Sequence, residues 1–206
     1  MIRPVITKVK VNKRAFRKSV MNAIGKSEKV KKRARQQAEK KVERAKLLLL
    51  KDFNEHEVTK EIEGGATAFN TSRTIVGRGN LFSFMGFQEG VNPTHVVKHY
   101  LESSSYVFKN SKFNKTLSGN HFAFRVSAPT LSKIYKMTPL PWESGRSWVR
   151  GVERGISGIG HYMYGKFLTS RSGTGLQSKN EVKFAAFKTT SYMSKMIEDF
   201  RERIQK

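Results

Sequence analysis

The side chains here best suited to chemistry are the histidines, the carboxylates and a run of clustered cations. Of the five histidines (His56, His95, His99, His121 and His161), only His95 and His99 stand at i and i+4, on one helix face. A zinc site needs further ligands, and no Glu stands beside His95 as the HExxH pattern demands. Both therefore read as partly exposed structural histidines. Carboxylates are scarce from Gly64 onward, and none is paired at a spacing that suits acid–base work. Gly77-Arg78-Gly79 and Gly173-Thr174-Gly175 lack the Lys-Ser/Thr ending of a phosphate loop, and turn chemistry accounts for both. The absence of cysteine excludes disulfides, thiolate zinc sites and cysteine nucleophiles, and fits a reducing compartment. These residues call for no cofactor and no metal, and nothing argues for an enzyme.

The cations remain. Residues 1–51 hold eighteen lysines and arginines against Glu28, Glu39 and Glu43, so +15 of the formal +24 lies in the first quarter of the chain. Such a charge attracts polyanions or acidic protein surfaces and says little about fold. Lys31, Lys32, Arg33, Arg35, Lys40 and Lys41 form its densest cluster. The element that must carry them is a long helix starting near Ser27. Val30, Ala34, Ala38, Val42, Ala45, Leu49 and Phe53 keep a helical stripe over about seven turns. The stripe is thin and alanine-rich at first, then apolar enough from Leu47 to Phe53 to dock on a core. Two readings stand side by side: a polyanion-binding arm, or a solvated helix whose charge meets an acidic neighbour. The arm lacks the aromatic interleaving of a single-strand binder.

The other elements follow from periodicity and punctuation. Val5 to Val11 alternates as a short strand or extended arm. Phe16, Val20 and Ile24 suit a brief helix over 13–24, ended by Gly25. Gly64-Gly65 closes the arm, giving an expected division into an N-terminal arm (1–63) and a core domain (64–206). Strands are expected at about 72–77 and over Asn80–Phe87, the second apolar on both sides of the alternation. Asn92-Pro93 starts a short helix bearing Val96, Val97, Tyr100 and Leu101. Tyr106 and Phe108, then Phe122, Phe124 and Val126, make a hairpin around Asn114 to Asn120. Thr130 caps a turn or two carrying Leu131, Ile134 and Tyr135. Met193, Ile197, Phe200 and Ile204 line a last helix. The 170–179 loop is polar and expected to be mobile.

Residues 139–165 hold both tryptophans, Trp142 and Trp148. Ser144 or Ser147 can cap a helix whose apolar face is Trp148, Val152, Ile156, Ile159 and Met163. Gly151, Gly155 and Gly158 form a stripe beside it. Each interior glycine costs about 1 kcal/mol against alanine, which implies close backbone approach by a strand of the same subunit or by a neighbouring one. Glu153 and Arg154 could supply an ion pair across a subunit boundary or an ordinary surface pair. Met1 to Lys8 lacks the apolar core of a signal peptide, and no run approaches a transmembrane span.

The chain resembles the neck and tail-completion proteins of tailed bacteriophages. The residues that carry this are Gly79-Asn80-Leu81-Phe82-Ser83-Phe84-Met85-Gly86-Phe87, Thr138-Pro139-Leu140-Pro141-Trp142, Gly145-Arg146-Ser147-Trp148, and Ser170-Arg171-Ser172-Gly173 with Gln177. The resemblance covers roughly residues 64–190. It implies a small sheet or sandwich flanked by helices, assembly as a homo-oligomeric ring (hexamer or dodecamer), portal or connector and tail proteins as partners, and no catalytic residues. Passing DNA is a further contact, and the location would be the virion, with the host cytoplasm during assembly. The expected fold class is α+β, a small antiparallel sheet or sandwich flanked by helices with a long basic N-terminal helical arm. The competing expectation is a basic nucleic-acid-binding protein, ribosomal- or nucleoid-like, that neutralises phosphates with the arm.

Overall fold

The longest element is the helix α2, Glu28–Glu55, preceded by α1, Lys13–Lys26. At 1.5 Å per residue, 28 residues span about 42 Å. Glu28 in its first turn complements the helix dipole. Val42, Ala45, Leu49 and Phe53 are its buried residues, at spacings of three and four. The expected stripe is thus present, with its buried portion confined to the C-terminal half. The computed structural model describes residues 13–75, 79–116, 119–155 and 187–205. The expected strand at 5–11 and the loop at 170–179 lie outside them.

The fold is α+β. The chain divides into two compact units, residues 1–40 with 107–126, and residues 41–106 with 127–206. This division differs from the expected boundary at residue 63. It falls within α2, and it groups most of the hairpin with the arm.

The first unit contains α1, the N-terminal part of α2, and the hairpin built from β1 (Tyr106–Thr116) and β2 (Gly119–Ser127). Phe113 and Phe122 stand 4.9 Å apart, and Phe122 and Phe124 6.5 Å. Gly25 lies against this ladder: a Cβ there would come within 2.6 Å of the Phe113 ring. Gly25 does not end α1 as expected, since the helix runs on to Lys26; its missing side chain instead leaves room for the Phe113 ring and so seats the hairpin.

The second unit begins with the C-terminal half of α2. His56 ends the helix and caps α3 (Glu57–Glu63) by accepting the Val58 N–H at Nδ1, 3.2 Å away. After the turn at Gly64 and Gly65 comes α4, Leu81–Phe84. A strand was expected over 80–87, and a helix stands there. Asn80 is the reason. Its Oδ1 accepts the Ser83 N–H at 2.9 Å, while its Nδ2 donates to the carbonyls of Ala66 and Ala68. That cap starts a helical turn, which Gly86 ends at φ +75°. Of the strand expected at 72–77, the described part makes one isolated bridge, Ile75 with Phe187.

Helix α5 (Thr94–Ser104) starts one residue later than expected: Pro93 is its N-cap rather than its first helical residue, and Asn92, just before it, accepts the Thr94 N–H at Oδ1, 3.1 Å away. Thr130 precedes α6 (Leu131–Met137) without a side-chain cap bond. Strands β3 (Pro139–Leu140) and β4 (Glu143–Ser147) pair antiparallel, Pro139 opposite Ser147 and Leu140 opposite Glu143. Helix α7 (Trp148–Arg154) follows, and α8 (Met193–Gln205) buries Met193, Met196, Ile197 and Phe200. The buried core gathers Phe53, Ile62, Leu81, Met85, Leu101, Ile134, Trp148, Tyr192 and Phe200, among others.

Candidate functional site

Two sets of residues are candidates for function: the tryptophan–glycine hub and the basic cluster. The hub is built from α4, the β3–β4 hairpin, α7 and the start of α8. Thr138 and Ser147 set its geometry. Their hydroxyls lie 2.7 Å apart, Thr138 Oγ1 is 2.8 Å from the Ile134 carbonyl, and the Thr138 carbonyl accepts the Trp148 N–H at 2.9 Å. Ser147 Oγ also accepts the Arg150 N–H, capping α7. Trp148, fixed in this way, is buried, with Phe87 edge-on at 5.9 Å and Tyr192 at 6.3 Å. Trp142 is half-buried and donates its indole N–H to the Met85 carbonyl at 3.1 Å. Gly86 completes the contact, since a Cβ there would meet the Trp142 indole at 3.2 Å.

Three of the segments that carry the sequence resemblance, 79–87, 138–142 and 145–148, therefore meet in one packed cluster. The fourth, Ser170–Gly173 with Gln177, lies outside the described residues. Comparison with known proteins adds nothing to this. No family model, no curated protein and no solved structure matches the chain.

The glycine stripe needs correction. Gly151 is buried within α7, but α7 ends at Arg154, and Gly155 is its C-cap at φ +83°. A Cβ at Gly155 would meet only Thr189 Cγ2, at 3.9 Å. A positive-φ, extended backbone (ψ 161°) open essentially to glycine alone, rather than close approach, is what glycine supplies there. The expected run of the helix to Met163, with Gly158, lies beyond the described residues. Glu153 is also reassigned. Its Oε2 accepts the Tyr135 hydroxyl and its Oε1 the Ser194 N–H, both at 2.6 Å, so it ties α6, α7 and α8 within the subunit. Burial, then the hydrogen bond to Glu153, push the Tyr135 phenol up to about 12.

The basic cluster lies along α2. Lys32, Arg33, Lys40 and Lys41 are exposed. Lys31 reaches Glu28 at 3.7 Å, and Arg35 Nε bonds Glu39 at 2.7 Å. Pairs at this spacing on an exposed helix contribute about 0.3–0.5 kcal/mol each, so they steady the helix without cancelling its charge. The hairpin adds to the same unit. By sequence, residues 1–40 and 107–126 hold eighteen lysines and arginines and two acids. Arg125 sits 6.0 Å over the Phe108 ring, and Phe16, Val20 and Val30 are exposed on the two helices. The aromatic interleaving missing from the helix is supplied by the hairpin.

Sequence reading missed Glu61. Only 1% exposed, it accepts the Leu81 N–H at 2.6 Å with one oxygen and the Ser72 N–H at 2.9 Å with the other. Nothing in the local pattern marks a carboxylate that serves loops eleven and twenty residues on. His95 and His99, the spaced pair, are both exposed on α5. Among the described residues no three histidines or acids cluster as metal ligands.

Proposed function

We propose that this chain is a structural virion protein of the neck or upper tail of a tailed bacteriophage, forming a ring that joins head to tail. The observation that carries the reading is the convergence of the resemblance-bearing segments. Residues 80–87, 138–142 and 145–148 are spread over nearly seventy positions, yet they interlock through Trp142–Met85, Phe87–Trp148 and Thr138–Ser147. Their role in this arrangement is packing. A ring subunit also needs surfaces that grip neighbours by a heterologous contact that closes. A unit rich in exposed cations and apolar side chains, continuous through α2 with a packed core, is suited to gripping an adjoining ring.

The competing function is nucleic-acid binding by the same basic unit. The hairpin favours it, with four cations, no acids and the Arg125–Phe108 stack over residues 107–126. Salt-titrated binding to duplex DNA, together with native mass measurement, separates the two. The ring protein self-associates, or joins a portal or tube, and binds DNA weakly. A strict monomer with nanomolar duplex affinity at physiological salt, and a steep salt dependence, would overturn the neck assignment.

A further inference from the structure

The second unit carries a cleft that the hub leaves unused. Its volume is about 380 Å³, and Arg146, Arg150 and Arg154 line it with Gly145, Gly151 and Gly155. The arginines stand four residues apart, from the end of β4 through α7. Residues so spaced on a helix lie one above the other, which turns Arg150 and Arg154 toward the same side. No acid is among the described residues lining the cleft. Glu153, between two of the arginines, has both oxygens engaged by Tyr135 and Ser194. Glu143 holds Arg146 Nε at 3.1 Å and so directs that guanidinium.

Arg146 is paired with Glu143, but Arg150 and Arg154 are exposed at the same cavity, so the cluster keeps a net positive charge that attracts an anion. Three of the lining positions have no side chain, so a ligand can approach the backbone there. At Gly145 an added Cβ would meet nothing within 4 Å. We propose that this cleft binds phosphate groups, either those of a nucleic-acid backbone or those of a free polyphosphate. Guanidinium forks engage phosphate oxygens in pairs. Three of them balance a multiply charged phosphate better than the single charge of one carboxylate. The proposal does not depend on ring assembly.

The test is a calorimetric titration of the full-length protein with pyrophosphate near physiological salt. Saturable binding of one pyrophosphate per chain is expected. The R150Q/R154Q variant should bind about ten-fold more weakly or worse, whereas K31Q/K32Q/R33Q in the basic arm should change affinity by less than about two-fold. R150K/R154K keeps the charge and loses the forks, so it should be intermediate; it also serves if the glutamine variant fails to fold. Displacement of pyrophosphate by a short single-stranded oligodeoxynucleotide assigns the cleft to a nucleic-acid backbone, and failure to displace it assigns the cleft to a free polyphosphate. The proposal is overturned if pyrophosphate does not saturate, if the arm variant loses binding in place of R150Q/R154Q, or if polyglutamate displaces pyrophosphate as well as phosphate compounds do.

Discussion

The two compact units hold their helices by different means. In the second unit Trp148, Tyr192, Phe53 and Phe200 are at most 1% exposed, and Tyr192 joins them, with ring contacts to Phe53 and Trp148 and its hydroxyl 2.7 Å from Thr59. In the first, Phe16 is 62% exposed, Val20 and Val30 37%, and the described packing centres on the Phe113–Phe122–Phe124 ladder and Gly25. Burial of apolar surface is not subject to charge screening, while a face of crowded cations is. One unit is thus a scaffold whose stability is set by packing. The other is a surface whose behaviour is set by charge.

The sharpest way to break this contrast is Trp148→Ala. Truncating a fully buried aromatic costs about 3–5 kcal/mol, and the remaining tryptophan, Trp142, reports unfolding of the same unit by fluorescence. Denaturant melts should show that loss; a change below about 1 kcal/mol would mean the hub is not what holds the core. Glu61→Gln comes next. An amide nitrogen would then face the Leu81 or Ser72 N–H, leaving a buried donor without an acceptor at a cost of about 1–3 kcal/mol. Glu61→Asp, too short to reach both, should fall between.

Gly155→Leu tests whether glycine is needed for conformation at the end of α7. A branched side chain forced to φ +83° costs about 1–3 kcal/mol. With ψ at 161° the backbone lies outside the left-handed helical region that asparagine tolerates, so Gly155→Asn and Gly155→Ala should lose nearly as much. If alanine is tolerated and only leucine is costly in thermal melts, the cost lies in contacts rather than backbone.

How far the sequence foretold this depends on the range of each interaction. The buried part of α2, the presence of α5 after Asn92-Pro93 and the apolar face of α8 were legible, because periods of three and four and a proline near a helix start are local signals. Residues 80–87 misled for a physical reason. A four-residue helix buried on several sides has the same apolar run as a strand buried on both; the Asn80 cap on Ser83 decides, and it is held in place by the reach of Asn80 to Ala66 and Ala68. Glu61 and Glu153 were illegible as organisers, since their partners are separated from them by up to 41 positions. The hub was half legible. Its tryptophans stood out, but the meeting of Trp142 with Met85 is a tertiary fact.

A smaller effect is expected from pH. Burial lowers the His56 pKa below 6.5, against a backbone bond to Ser191 and the nearby Glu57 that raise it, while Lys60 lowers it further. Asp52, Glu55, Lys195 and Asp199 line a separate surface cleft with His56, and the Tyr192 ring stands 4.9 Å from the imidazole. The unfolded chain therefore takes up the proton first. The stability that neutral His56 provides is present above about pH 6.5 and falls as pH drops below that value toward the lower folded pKa. Protonation also removes the Nδ1 acceptor that caps α3. His56→Asn keeps a cap without the titration, so its melting temperature should lose the part of the acid slope that His56 supplies. An unchanged slope would assign it to the carboxylates.

The smallest stability change belongs to the arm. Lys32 is exposed on α2, and Lys32→Ala should alter unfolding free energy by less than about 0.5 kcal/mol. Its effect should appear in charge-dependent association instead. If the arm meets DNA, removing one phosphate-facing cation lowers the slope of log affinity against log salt by about 1. If the arm meets an acidic protein surface, duplex binding stays weak and its slope is unmoved, while assembly with the partner weakens at low salt and becomes less salt-dependent. A Lys32→Ala variant that melted several degrees lower would show that the first unit, too, is held by packing at this position, and the contrast between scaffold and charged surface would fail there.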